Sequence, residues 1–243
     1  FALMGAAVYY GVLQSEKVFI EIIPTWFILP IVSFLLSYFI GRFIYMPLRD
    51  KGIIPFNEIA GHPLLKLIVV ASSCYVAFAI GSNNVANASG PITSMMLLEL
   101  GIPKTGNNFL LCMILGTLIV GPCFGIGSSL WGSKVMDTVG KQIIEIGPMG
   151  ATLISVITAS LLLLASLTRG IPTSLVQLNA AAIIGIGISK YGTKSILSQT
   201  SVKNLLIIWI IAPIIAFTLT LLFIFLAEKA GFITVSNSVT LSP

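Results

Sequence analysis

The chain has 243 residues, of which 56% are hydrophobic and 9% are charged, and its mean hydropathy is +1.04. A soluble domain carries about 25% charged residues, so this composition excludes a soluble domain and indicates an integral membrane protein. Long apolar runs favour transmembrane helices over the short alternating strands of an outer-membrane barrel. The net charge of +5 comes from basic residues in short loops, which is typical of cytoplasmic loops and argues against a nucleic-acid partner.

The cysteines and the single histidine are not expected to form a site. Cys74, Cys112 and Cys123 lie in apolar stretches without paired spacing, so we expect packing thiols rather than a disulfide or a metal site. His62 stands alone in a loop. Because the sequence has no nucleophile–base pair and no HExxH motif, an enzyme is not expected.

The first predicted elements are a partial span, a loop and a complete span. Residues 1–13 are apolar but too few to cross a bilayer core of about 30 Å, so the segment is expected to begin upstream. Residues 14–25 contain three charged side chains and predict a loop. Residues 26–45 predict a complete span, because an aromatic residue marks each end, as membrane interfaces favour.

Residues 46–63 predict the linker between two halves of the molecule. The segment combines three prolines with a concentration of charge that is unusual for this chain. With the flanking Arg42 and Lys66 included, basic side chains outnumber acidic ones, which indicates the cytoplasmic side of the membrane. The charged residues in it and beside it are Arg42, Arg49, Asp50, Lys51, Glu58 and Lys66.

The next helix, residues 64–80, is followed by a polar interruption that reads GSNNVANASGP. Gly81, Gly90 and Pro91 predict a broken helix, with Pro91 in the first turn of the helix that restarts. An unpaired polar group at membrane depth costs several kcal/mol, and broken helices in lipid usually line a cavity. We therefore predict half of a substrate site here, with polar residues Asn83, Asn84 and Asn87.

Three more spans are predicted. Residues 109–124 and 150–167 are apolar, and the more polar residues 131–148 between them predict a loop or a surface helix. Residues 204–226 predict the last span, and the tail beyond them is polar and rich in serine and threonine.

A second polar interruption lies between the last two of these spans. Residues 171–187 are apolar but start with a proline at Pro172 and end in small residues, as a half-helix or a re-entrant hairpin requires. Asn179 is left outside the predicted site, because it could face away. The hydrogen-bonding residues of this segment are Thr173, Ser174, Gln177 and Asn179.

The two interruptions together predict an anion site. A helix N-terminus exposes unpaired N–H groups and about half a positive charge, so two such ends, begun by Pro91 and Pro172, would bind an anion without a buried cation. Interhelical hydrogen bonds that only stabilise the bundle, and hydroxyls that bond their own helix, are the alternatives. Carbonyls freed at Gly81 could also hold a cation. The predicted substrate-binding donors are Asn83, Asn84, Asn87, Thr173, Ser174 and Gln177.

These motifs resemble those of a known family. GSNNVANASGP resembles the GANDVANA-type signature of the inorganic phosphate transporter (PiT) family, and GIPTSLVQLNAAAIIGIG resembles its second hallmark, a hairpin with small residues. The NNVANA and IIGIG wording is closest to the family's sulfate permease branch. The resemblance covers about residues 64–213 and matches the second of the family's two inverted repeats. It implies that the first repeat's signature lies upstream of Phe1.

The resemblance also implies an architecture. It implies an all-α, multi-pass protein of the cell membrane with broken helices and a re-entrant hairpin, part of an inverted-repeat transporter that forms a homodimer. No cofactor is expected, with sodium or a proton as the coupling ion. The implied divisions are transmembrane helices that end the upstream repeat, a cytoplasmic linker, the second repeat and a polar tail, at residues 1–45, 46–63, 64–226 and 227–243.

Departures from the family pattern bear on the substrate. The family's acidic position is Asn84 here, and its Thr-Thr-His positions are Leu175, Val176 and Gln177. Phosphate carries protons at neutral pH and needs an acceptor, whereas sulfate does not, and one unmatched buried group costs about 1–3 kcal/mol. We therefore predict secondary-active transport of a tetrahedral anion with sulfate favoured. Sodium- or proton-coupled phosphate transport and an anion channel are the alternatives.

Overall fold

The computed structural model describes residues 1–14, 16–50, 63–103, 105–141, 144 and 147–231. Secondary structure in these ranges is helical, and no strand occurs among them. The chain is therefore an all-α, multi-pass membrane protein, as predicted. Among the described residues, five helices are long and apolar enough to cross a membrane: Lys17–Leu48, Pro63–Glu99, Asn107–Ser133, Pro148–Thr168 and Thr200–Lys229.

Several of these spans are built from consecutive α-helical and π-helical segments. The α-helices are α1 (Ala2–Tyr9), α2 (Ile23–Ile40), α3 (Met46–Asp50), α4 (Pro63–Ile80), α5 (Ala86–Glu99), α6 (Asn107–Lys141), α7 (Pro148–Arg169), α8 (Leu175–Tyr191), α9 (Thr193–Leu197) and α10 (Thr200–Lys229). The π-helical segments are Lys17–Ile22, Gly41–Tyr45 and Gly81–Val85.

The described residues form two compact units. The first consists of Phe1–Glu21 and the described residues from Lys203 onward, and the second is Ile22–Val202. In the first unit α1 packs closely on α10, because a Cβ on Gly5 would lie only 2.8 Å from the carbonyl oxygen of Phe217. The candidate site lies wholly in the second unit.

Helix α8 is the buried centre of the second unit, and α2 runs parallel to it. Ser33 Oγ donates to the Leu178 carbonyl oxygen at 2.8 Å, and further along both helices a Cβ on Gly185 would lie 2.5 Å from the Phe34 carbonyl oxygen. Only glycine permits so close an approach of two backbones. The buried residues of α8 are Leu175, Leu178, Ala180, Ala181, Ala182, Ile183, Ile184, Gly185, Ile186, Gly187 and Ser189.

Helices α4 and α7 form a second parallel pair. The hydroxyls of Tyr75 and Ser160 lie 3.1 Å apart, and two turns further on Ser166 Oγ donates to the Ser82 carbonyl oxygen at 3.0 Å. Helix α7 ends at Gly170, whose left-handed φ of +58° reverses the chain into α8. Helices α7 and α8 therefore form a helical hairpin.

Most predicted spans are confirmed, although one loop prediction is wrong. Residues 16–25 are not a loop, because Lys17–Ile22 is π-helical and continues into α2; its apolar side chains outweigh its charges. Residues 131–141 belong to α6, which is longer than predicted. Of the predicted linker, α3 is helical, and residues 51–62 lie outside the described part. The predicted domain boundaries stay a prediction.

The first predicted helix break is also wrong. Helix α4, the segment Gly81–Val85 and α5 form one continuous helix, so Gly90 and Pro91 lie inside it and neither begins a helix. Each backbone group freed by a break in lipid would need a new partner, so a helix that loses only the bond to Pro91 leaves fewer groups unpaired. The local wide turn at Gly81–Val85 is the remaining irregularity.

The second predicted break is present, but Pro172 does not lie in the first turn of the new helix. Residues 171–174 are non-helical, and α8 begins at Leu175. Ser174 caps α8, because its extended backbone places Oγ where it accepts a hydrogen bond from the Gln177 N–H at 3.4 Å.

The close approach of α2 and α8 gives a testable consequence. Gly185→Ala should lower the free energy of unfolding by about 1–3 kcal/mol, because the added methyl meets the Phe34 backbone. Thermal unfolding of the purified protein in detergent measures the change. The control is Gly125→Ala in α6, where an added methyl meets nothing within 4 Å and stability should be unchanged or slightly raised. Equal unfolding midpoints for the two variants would contradict the close packing.

Candidate functional site

The site is built where the turn Gly81–Val85, called the asparagine turn below, meets residues 171–174, called the hairpin tip. Asn83 Nδ2 donates to the Ile171 carbonyl oxygen at 3.1 Å, and Asn83 Oδ1 accepts from the Thr173 backbone N–H at 3.2 Å. The Asn83 side chain is only 3% exposed. A buried amide is thus paired with the backbone at both ends, as burial in an apolar environment requires.

The other two asparagines are more accessible than Asn83. Asn87 is exposed and lies one helical turn further on, where its Nδ2 donates weakly to Asn83 Oδ1 at 3.4 Å. Asn84 is half-buried, and its amide makes no side-chain hydrogen bond with any described residue. These two amides therefore have N–H groups to offer a ligand.

The start of α8 contributes a second set of donors. Thr173 is 7% exposed, yet its hydroxyl Oγ1 has no hydrogen-bond partner in the described part of the chain. Ser174 is exposed, and Gln177 is half-buried in the first turn of α8. Because helix N-termini carry unpaired N–H groups and a partial positive charge, this end of α8 favours an anion.

Trp26 of α2 anchors the other side of the hairpin tip. Its Nε1–H donates to the Pro172 carbonyl oxygen at 2.7 Å. Beside this bond lies a shallow surface recess. The residues that line the recess are Trp26, Leu29, Pro30, Thr173, Ser174, Gln177 and Leu178.

The site is electrically neutral where its side chains are described. Its polar groups are amides, hydroxyls and backbone N–H groups, and Glu99 lies sixteen residues from Asn83 along the same continuous helix. Within the described ranges, no group of three or more His, Cys, Asp or Glu side chains could hold a metal ion. Only polar donors and helix ends are available there to attract an anion.

The predicted site residues fall into two neighbouring groups. Asn83, Asn84 and Asn87 lie on or just after the asparagine turn, and Thr173, Ser174 and Gln177 lie at the hairpin tip and the start of α8. The Asn83–Thr173 hydrogen bond joins the groups. Asn179, set aside in the sequence analysis, is half-buried, and its Oδ1 has no partner among the described residues.

Sequence reasoning missed two residues that support this site. A tryptophan at the end of an apolar run, such as Trp26, indicates a membrane interface, but this pattern does not predict the hydrogen bond to Pro172. Ser166, which donates to the Ser82 carbonyl oxygen, is a single serine at the end of an apolar helix and has no distinctive local pattern. Both contacts join residues more than eighty positions apart.

Comparison with known proteins adds an independent finding. The sequence profile described as the Phosphate transporter family matches residues 1–220, a wider region than the residues 64–213 on which the motifs place the resemblance. The chain is 28% identical over 235 residues to the sulfate permease CysP of Bacillus subtilis, which covers 96% of this chain and 60% of the relative. No solved structure matches the chain at a significant level.

A plant protein is also similar. The chain is 29% identical over 163 residues to the chloroplastic inorganic phosphate transporter 2-1 of Arabidopsis thaliana, which covers 66% of this chain and 27% of the relative. The chain therefore spans between about a quarter and three fifths of these two relatives. Both names, like that of the family, describe transport proteins rather than enzymes.

The anchor at Trp26 can be tested with a matched pair of variants. Trp26→Phe keeps an aromatic ring but removes the donor to Pro172, so the free energy of unfolding should fall by about 1 kcal/mol or more. Trp131→Phe is the control, because Trp131 is 62% exposed. Thermal unfolding in detergent compares the two, and an equal response would contradict the anchoring role.

Proposed function

Because this chain belongs to the Phosphate transporter family, we propose that it forms part of a secondary-active transporter for a small tetrahedral inorganic anion, acting as a homodimer. It is a multi-pass protein of the cell membrane. The observation that carries the proposal is the contact between the asparagine turn and the hairpin tip, which gathers polar donors in the middle of apolar helices. Such gatherings at membrane depth commonly mark substrate pathways.

We assign the anion's donors to side chains that keep free N–H or O–H groups. Asn84 and Asn87 offer amides on one side, while Thr173, Ser174 and Gln177 offer groups on the other. The N-terminus of α8 adds its partial positive charge. Neutral donors hold an anion without the strong charge pairing that would slow its release.

Sulfate is the favoured substrate. Sulfate is fully deprotonated at neutral pH and needs donors only, and the described site contains no carboxylate that would repel it. The similarity to a sulfate permease supports the same choice.

Phosphate is the second candidate. It is favoured by the family's description and by the name of the plant relative. A protonated phosphate would need an acceptor, and the Asn84 side-chain oxygen is one such group. Coupling to sodium or to a proton is proposed for either anion.

The role of Asn84 is tested by uptake into proteoliposomes that contain the full-length protein. Asn84→Ala should lower sulfate uptake at least about tenfold, because a buried anion that loses a donor is strongly disfavoured. Asn204→Ala is the control, since Asn204 is exposed and lies in the other unit. Uptake that equals that of the unaltered protein would remove Asn84 from the site.

The substrate preference is tested by an isosteric change. Asn84→Asp should shift uptake from sulfate toward phosphate, because a carboxylate accepts a hydrogen bond from protonated phosphate and repels sulfate. Competition between labelled sulfate and unlabelled phosphate measures the shift, with Asn204→Asp as the control. A preference that does not change would refute the protonation argument.

A further inference from the structure

We propose that Asn83 is a positioning residue, which holds the hairpin tip in place, rather than a ligand of the anion. Its consequence for transport rests on the proposed function, but the holding role itself does not. This assignment changes the role predicted for Asn83 from its sequence alone, which groups it with the anion donors.

The Asn83 amide is hydrogen-bonded at both ends to the backbone of the hairpin tip. Nδ2 donates to the carbonyl oxygen of Ile171, and Oδ1 accepts from the N–H of Thr173. One side chain therefore satisfies backbone groups on both sides of Pro172, as a neighbouring strand would in a sheet. With 3% exposure, the amide is much less accessible than its neighbours Asn84 and Asn87.

The backbone of the hairpin tip needs hydrogen-bond partners from other parts of the protein. A non-helical segment between two membrane helices leaves backbone groups without partners, and lipid supplies none. Trp26 donates to the carbonyl oxygen of Pro172, and Asn83 pairs with the Ile171 carbonyl and the Thr173 N–H on either side of it. Removal of the Asn83 amide would leave two backbone groups unpaired at once.

The hairpin tip also carries donors of the proposed anion site. The hairpin tip carries Thr173 and Ser174 and leads directly into the first turn of α8. The two hydrogen bonds of Asn83 therefore fix these donors relative to Asn84 and Asn87. A tip that is released from Asn83 would separate the two halves of the site.

Labelling of a cysteine at the tip tests the holding role without any transport. Ile171→Cys, in a background where Cys74, Cys112 and Cys123 are serine, places a thiol at a position that is 2% exposed. Asn83→Ala should raise the rate of its reaction with a membrane-permeant maleimide at least about tenfold, because the tip opens more often. Asn87→Ala, which removes no bond to the tip, should leave the rate unchanged. Equal rates in all three proteins would overturn the proposal.

Asn83→Asp separates a specific hydrogen bond from a general loss of structure. A protonated carboxyl can accept from Thr173 and donate to Ile171 as the amide does, whereas a carboxylate cannot donate. The tip should therefore be protected at low pH, where the group is protonated, and open at high pH.

Other titratable groups bear on the midpoint of that transition. Arg169, at the end of α7, is the nearest along the chain to the hairpin tip. With the three native cysteines replaced by serine, the titratable residues on the helices that pack against the asparagine turn are Lys66, Tyr75, Glu99, Lys134, Asp137, Lys141 and Arg169. These groups are present in the Ile171→Cys parent too, so each rate is expressed relative to that parent at the same pH.

We expect the relative labelling rate of Asn83→Asp to lie near that of the parent at low pH and to rise toward that of Asn83→Ala at high pH. A rate equal to the parent at both pH values, or equal to Asn83→Ala at both, would overturn the hydrogen-bond account. Anion uptake by Asn83→Asp should recover over the same pH range as protection does, which a merely structural role would not produce.

The outcomes distinguish this proposal from the proposed function. Failure of the full-length protein to move sulfate or phosphate would remove the proposed function and leave the labelling result standing. Normal uptake and unchanged labelling in Asn83→Ala would remove the holding role of Asn83 and leave the proposed function intact.

Discussion

The structure of the second unit depends on one constraint, which is that a backbone group inside a membrane must find its partner within the protein. The hairpin tip is non-helical and separates α7 from α8, so its backbone N–H and C=O groups have no partners within a helix. Asn83 and Trp26, which come from two different helices, supply the partners. These two polar side chains therefore pair with backbone groups of the hairpin tip, and the donors proposed for the anion lie beside those hydrogen bonds.

Close packing around α8 makes the arrangement specific. Most residues of α8 are buried, and these are mainly small residues and isoleucines. Gly185 allows the backbone of α2 to come within contact distance. Lipid tails are as apolar as the side chains, so van der Waals contact and hydrogen bonds hold the helices together. The hydrogen bond from Ser33 to Leu178 lies in the same contact between α2 and α8. This contact fixes the position of Trp26 relative to the hairpin tip.

The sequence predicted the spans well, because length and the scarcity of charge decide whether a segment crosses a bilayer. It also predicted the interruption at Pro172. It failed at Gly81 and Pro91, where local breaking tendencies are outweighed by the need to keep helical hydrogen bonds in lipid. The pairing of Asn83 with the hairpin tip could not be predicted, since it depends on packing between residues 88 positions apart.

The parallel course of α2 and α8 has a topological consequence. Because the two helices run in the same direction, the chain leaves both of them at the same end of the pair. The residues after α2 and those after α8 therefore lie at the same end, although about 150 positions separate them. Arg42 near one exit and Lys190 and Lys194 near the other then add their charge to a single face. By the positive-inside rule, the basic residues at both helix ends favour placing this face on the cytosolic side of the membrane.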